Sequence, residues 1–140
     1  MTKSIIYWLT FTFALPISIC AQNNEPIKGN NLIVIHSGKI EAEAYRLIGK
    51  ALIREGFQLE KTDPIIGYIH AAYRSLTYTE HIYVDIEGEV ITLSGGYDGG
   101  GYYYDWLFEG KSKLLKSYSL FEHFTKIIAS FDKSEFQTKK

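Results

Sequence analysis

The chain has 140 residues, enough for one domain, with 46% hydrophobic and 22% charged residues, which is ordinary globular composition rather than a disordered one. Its net charge of −1 offers no basic face for nucleic acid, since phosphate binding needs clustered Lys and Arg. A single cysteine excludes an intramolecular disulfide framework and a cysteine-based zinc site.

The chain opens with Lys3, an apolar run from Ile5 to Leu15, the breaker Pro16, and small residues at Ser18, Cys20 and Ala21. That order predicts a secretory signal peptide over residues 1–21 and an exported protein, periplasmic or secreted. The apolar run is shorter than the roughly 20 residues a spanning helix needs. Cleavage after Cys20 or Ala21 gives soluble export; lipidation of Cys20 gives a membrane anchor. The bulky Ile19 before the cysteine favours the first. Membrane association is expected only with that lipid. Residues 22–31 are polar, carry Pro26 and Gly29, and read as a flexible leader.

Residues 32–132 read as one α+β domain. Leu32–Ile35 is a short apolar, β-branched run, predicted as a strand buried on both faces. Ile40, Ala44, Leu47, Ile48, Ala51 and Leu52 recur at helical spacing, and Gly56 stops them, predicting a helix over 39–55. Alternating runs at 57–61, 68–76, 80–87 and 89–97 read as strands, with another over 102–108. Ser119-Leu120-Phe121-Glu122 has the form of a capping box, followed by Phe124, Ile127, Ile128 and Phe131 on one face of a second helix. Residues 133–140 read as a polar tail. The expected fold is an antiparallel sheet of five to six strands with both helices on one face, in the order β-α-β-β-β-β-α.

Hairpin geometry then assigns neighbours. A turn at Glu87-Gly88 places Ile82, Val84, Ile91 and Leu93 on the core face, with His81, Tyr83, Asp85, Thr92 and Ser94 on the other. A turn at Thr77-Tyr78 adds His70 and Arg74 to the polar face and sets His70 opposite Asp85. Pairing Tyr97 with Tyr102 sets Leu93 beside Trp106.

On this register the candidate chemistry is limited. His70 and Asp85 could act as base and orienting acid, or form a plain surface pair. Ser94 beside His81 suggests a nucleophile and base, but Asp85 is four residues along the strand, so a triad fails on geometry. The four histidines, His36, His70, His81 and His123, sit on four elements without H-x-x-x-H spacing, and His70 and His81 are offset, so no metal and no cofactor are expected. Gly110-Lys111-Ser112 resembles the end of a phosphate loop, but Asp105 and bulky residues fill its interior. The segment from Gly95 to Trp106 is rich in glycine and tyrosine. It reads either as an aromatic contact loop or as an edge hairpin. Asp98 and Asp105 lack the spacing of a known calcium loop.

The run Ile40–Gly56, followed by Phe57-Gln58-Leu59-Glu60-Lys61-Thr62-Asp63-Pro64-Ile65-Ile66-Gly67-Tyr68-Ile69, resembles small bacterial envelope lipoprotein domains of the helix-grip kind. The C lipoprotein of the outer-membrane β-barrel assembly machinery is an example. The resemblance covers about the first half of the exported chain and implies a non-enzymatic envelope module. The chain departs from that pattern in its Cys20 context and its Gly/Tyr segment.

The expected function is a non-catalytic binding module for an envelope protein or small ligand. Its candidate contact residues are Tyr68, His70, Arg74, Tyr83 and Asp85 on the sheet face, and Tyr97, Tyr102, Tyr103 and Trp106 in the aromatic segment. The alternative is an acid–base hydrolase of envelope polymers using His70 and Asp85.

Overall fold

The structure, a computed structural model, describes residues 25–139 with the exception of Leu114. The expected signal peptide therefore lies outside the described residues. Among the described residues no helix is long and apolar enough to cross a membrane.

Seven strands and two helices follow in the order β1 (Leu32–His36), α1 (Glu41–Arg54), β2 (Gln58–Asp63), β3 (Tyr68–Arg74), β4 (Thr79–Glu87), β5 (Val90–Gly99), β6 (Tyr102–Asp105), α2 (Lys116–Ile128) and β7 (Ser134–Gln137). All strands join one antiparallel sheet, ordered β2-β3-β4-β5-β1-β7. The long β5 has two neighbours on its far side: β1 along Val90–Leu93 and β6 along Gly96–Gly99. The α+β class and antiparallel sheet match the sequence reading, but the sheet has more strands and a different order.

The added strand is β7, which lies in the segment read as a tail and pairs with β1. The ordered body also begins before residue 32. Asn30 is 3% exposed, its carbonyl accepts the Phe108 N–H, and its side chain accepts the Ile27 N–H. Strand β1 is buried on one face only, through Ile33 and Ile35, while Val34 is half-buried.

Helix α1 forms where its apolar positions demand a core. Ala44, Ile48, Ala51 and Leu52 are buried on one stripe. Its end is set by Gly56 at φ +89, with the N–H groups of Gly56 and Phe57 returning to Ile53 and Leu52. This double bond pattern is a Schellman motif, which needs a left-handed residue. Helix α2 starts at Lys116, before the expected capping box, with Leu115 as N-cap. Ser119 is thus inside the helix rather than at its start. The indole of Trp106 anchors this entry by donating to the Ser117 carbonyl at 3.1 Å.

Both helices cover the same sheet face. Ile33, Ile35, Ile69, Ile82, Val84, Ile91 and Leu93 form one buried cluster with Ile48, Leu52, Leu120, Phe124 and Ile127. Each such aliphatic side chain contributes about 1.5–3 kcal/mol of burial. The opposite face has no helix over it among the described residues, and the sequence placed its polar chemistry there.

Candidate functional site on the open sheet face

The faces match the expected ones, but the partners do not. Strands β3 and β4 are joined by a four-residue loop, Ser75–Tyr78, closed by Ser75 N–H to the Tyr78 carbonyl, with the Ser75 hydroxyl accepting from Thr77 and Tyr78 N–H at 3.4 Å. The expected two-residue turn at Thr77-Tyr78 is therefore replaced. His70 lies opposite Tyr83, and Asp85 lies opposite Tyr68. The expected His70–Asp85 pair does not form. A slide of two residues keeps every side chain on its face and changes every neighbour.

The same slide occurs in the other hairpins. The β4–β5 loop is Gly88-Glu89, with Gly88 at φ +59, so Asp85 faces Thr92 and Val84 faces Leu93. Glycine with positive φ at the first loop position suits a type II′ turn. The β5–β6 loop is Gly100-Gly101, so Tyr97 faces Tyr104 and Asp98 faces Tyr103. Trp106 bonds to the Gly95 carbonyl instead of lying beside Leu93.

This register brings together residues that the sequence reading kept apart. His81 lies opposite Ala72, so it is a diagonal neighbour of His70 instead of an offset one. The ring nitrogens His70 Nε2 and His81 Nδ1 are 3.0 Å apart. On the outer side of His81, Nε2 lies 2.9 Å from Asp98 Oδ2. On the outer side of His70, Nδ1 lies 3.8 Å from Glu60 Oε2. Glu60 is bonded through Oε1 to Arg74 Nη2, and Arg74 also donates to Gln58 at 3.1 Å. A continuous row thus runs Arg74, Glu60, His70, His81, Asp98 across four strands.

Glu60 owes its place to a β-bulge. Leu59 pairs with Ala71 and Lys61 with His70, leaving Glu60 as the extra residue. A bulge re-aims a side chain and sets two residues against one. Nothing in the local pattern signals the bulge, because Gln58-Leu59-Glu60-Lys61 reads as plain alternation.

Aromatic rings wall the row. Tyr83 stacks on His70 with centroids 4.7 Å apart, and Tyr103 approaches His81 at 6.1 Å. Tyr103 lies over Gly96, whose missing side chain makes the room: an added Cβ would lie 2.5 Å from the phenol Cζ. The histidine side chains are 19% and 13% exposed, so water reaches them sparingly.

Electrostatics follow from this packing. Burial first, and the neighbouring His81 second, hold the His70 pKa below its ordinary value, against the opposing pull of Glu60. The bond to His81 lowers the Asp98 carboxyl. Burial and the Tyr83 hydroxyl keep the Tyr103 phenol protonated far above its usual range.

The remaining candidates divide. Tyr68 is half-buried beside Asp85, with Lys61 Nζ 5.9 Å above its ring. Asp85 is exposed on the same face. Tyr97 stacks on Tyr104 at 5.4 Å, on the face that carries the helices. Tyr102 is exposed beside the glycine turn, 69% accessible. Trp106 is 1% exposed and packs edge-on against Phe124 at 4.8 Å, so its ring is part of the core. Ser94 lies opposite Tyr83, and His81 opposite Gly96, so Ser94 is not a direct cross-strand partner of His81. Ser94 instead lines a groove of about 360 Å³ together with Tyr83, Tyr103, Asp105, Trp106, Asn31 and Lys139.

No protein-family model matches the chain, and the curated proteins give no match either.

Proposed function

We propose that this protein is an exported envelope module that binds a ligand or partner through the open face of its sheet, without performing chemistry of its own. The observation that carries the reading is the convergence of Glu60, His70, His81, Asp98, Tyr83 and Tyr103 on the one face that carries no helix among the described residues. Polar and aromatic side chains fixed on strands are preorganised for recognition, and aromatics and arginine dominate binding surfaces. The leader pattern of residues 1–21 supports export, and the likeness of the 40–69 segment to helix-grip envelope domains supports an interaction role.

The test is capture of envelope components on the immobilised protein. Tyr83→Ala combined with Arg74→Ala should weaken capture while the fold is retained. Arg46→Ala, on the exposed side of α1, should leave capture unchanged. Equal capture by all three proteins would reject the open face as the working surface. Mass spectrometry of the N-terminus tests export, with a start at Ala21 or Gln22 expected for soluble release.

A second reading is favoured by one feature. The His81–Asp98 pair at 2.9 Å is the geometry in which a carboxylate orients an imidazole for proton transfer. In that reading the hydrolase alternative runs through His70, His81 and Asp98 rather than His70 and Asp85. Hydrolysis of an envelope polymer that is lost in Asp98→Asn would favour it.

A further inference from the structure

The facing nitrogens of His70 and His81 have an unusual relation. Asp98 sits on the outer nitrogen of His81, which fixes the proton there and leaves the Nδ1 lone pair turned inward. Glu60 Oε2 stands 3.8 Å from His70 Nδ1, beyond hydrogen-bond reach, so this carboxylate oxygen is not tied to that nitrogen. The His70 Nε2 position, 3.0 Å from the His81 lone pair, holds either a proton donated to it or a second inward lone pair that can share a cation with it. Two nitrogens bound to one ion at about 2.0–2.1 Å each stand about 2.8–3.4 Å apart, depending on the angle. The observed spacing falls within that interval. One ligand atom from each of Glu60, His70 and His81 lies within 4.8 Å of the other two.

We propose that Glu60, His70 and His81 bind a divalent transition-metal ion, with His70 Nε2 and His81 Nδ1 as the preformed pair and Glu60 as the third ligand. The proposal rests on the reading that the open face is the working surface, and it names the ligand of that face. Asp98 is then the outer carboxylate that orients a metal-bound imidazole, as is usual for such ligands. The bulge at Glu60 has a purpose in this arrangement, because it turns a carboxylate toward the two rings. Glu60 has to close the remaining gap, and its second oxygen leaves it tethered to Arg74. Two imidazoles and one carboxylate suit zinc, nickel or copper(II), whereas calcium and magnesium take oxygen ligands. Three protein ligands leave a position open on the solvent side, where a partner's donor group could complete the shell.

Calorimetric titration of the chelator-stripped chain with Zn²⁺ at pH 7.5 tests this. One equivalent should bind, with no heat from Mg²⁺ or Ca²⁺ at the same concentration. His70→Ala and His81→Ala should each weaken binding at least tenfold, and Glu60→Gln should weaken it less. In ¹⁵N-resolved imidazole spectra, the rings of His70 and His81 should shift on adding Zn²⁺ while His36 and His123 stay in place. No heat and no ring shift would overturn the proposal. So would binding that survives in the His70→Ala/His81→Ala protein, which would assign it to surface groups such as His36 and Glu135. Circular dichroism of each variant separates lost ligands from a lost fold, and Glu60→Gln, on an edge strand, provides a reading if a histidine variant unfolds. If Zn²⁺ fails to bind while Tyr83→Ala with Arg74→Ala still abolishes capture, the metal is rejected and the open face stands.

Discussion

Glu80 is the residue whose environment departs most from what its chemistry prefers. It is 1% exposed, on the helix-covered face, with His123 Nε2 3.3 Å from its Oε2. Burial pushes its pKa up, partly countered by the Ser119 hydroxyl, and burial pushes the His123 pKa down. The native state holds the Glu80 proton more tightly than the unfolded chain does. Its contribution to stability is therefore lost as pH rises from the ordinary 4.5 through the raised native value. His123 acts in the opposite sense: stability is lost as pH falls below its ordinary 6.5 toward the lowered native value. Glu80→Gln should accordingly be more stable than the parent at pH 8, by about 1–2 kcal/mol, because a buried charge is removed. Urea unfolding at pH 5 and pH 8 checks this. A loss of stability at pH 8 would mean that the attraction to His123 outweighs the burial cost. On the other face, the His70 ring should titrate below 6.5 in an NMR pH series. An unshifted midpoint would mean that it is more hydrated than its packing implies. Sequence alone could not find Glu80, because an alternating strand places it on the core face without saying what surrounds it.

At the scale of elements, which residues share a face was legible and which residues touch was not. Strand alternation has a period of two, so Ile82, Val84, Ile91 and Leu93 could be assigned to the core from the sequence. The partners depended on turn placement. Ser75 opening a four-residue loop, Gly88 in first rather than second position and the Gly100-Gly101 loop each moved a register by two. That slide turned a supposed His70–Asp85 pair into the His70–His81 pair. Strand β7 was hidden by its composition, since Ser134-Glu135-Phe136-Gln137 has one apolar side chain. Its pairing with β1 gives it a structural role: truncation after Asp132 should uncover the β1 edge, remove the Phe136–Phe121 contact and lower the unfolding midpoint. Thermal unfolding of the truncated chain checks this, and an unchanged midpoint would make β7 dispensable. The end of α1 was legible because a left-handed glycine there has few substitutes. Gly56→Ala should cost about 1–2 kcal/mol for the backbone conformation, and its new Cβ would press on the Tyr73 ring at 3.2 Å. Denaturant unfolding measures the loss, and a neutral result would mean that the helix end rearranges freely.

At the scale of the whole molecule, the described residues divide into a covered and an uncovered side. Two helices, one face of β1, β3, β4 and β5, and loop residues such as Phe57, Trp106 and Phe108 supply the apolar burial, and the other face is free to carry groups that a core cannot hold. A row of titratable side chains spanning four strands is affordable there because each member meets a partner of opposite character or a ring. Such a row is rigid, since its members stand on strands and a bulge rather than on loops, and rigidity is what a recognition site requires. The account stands on the direct apposition of His70 and His81 within this row. The long-range ¹H–¹⁵N spectrum of the imidazoles, recorded on the chelator-treated chain near pH 7.5, reads it directly. The account predicts that His81 carries its proton on Nε2, toward Asp98, and that ring-to-ring proximity to His70 is detectable. Averaged tautomers for both rings, with no contact between them, would contradict it.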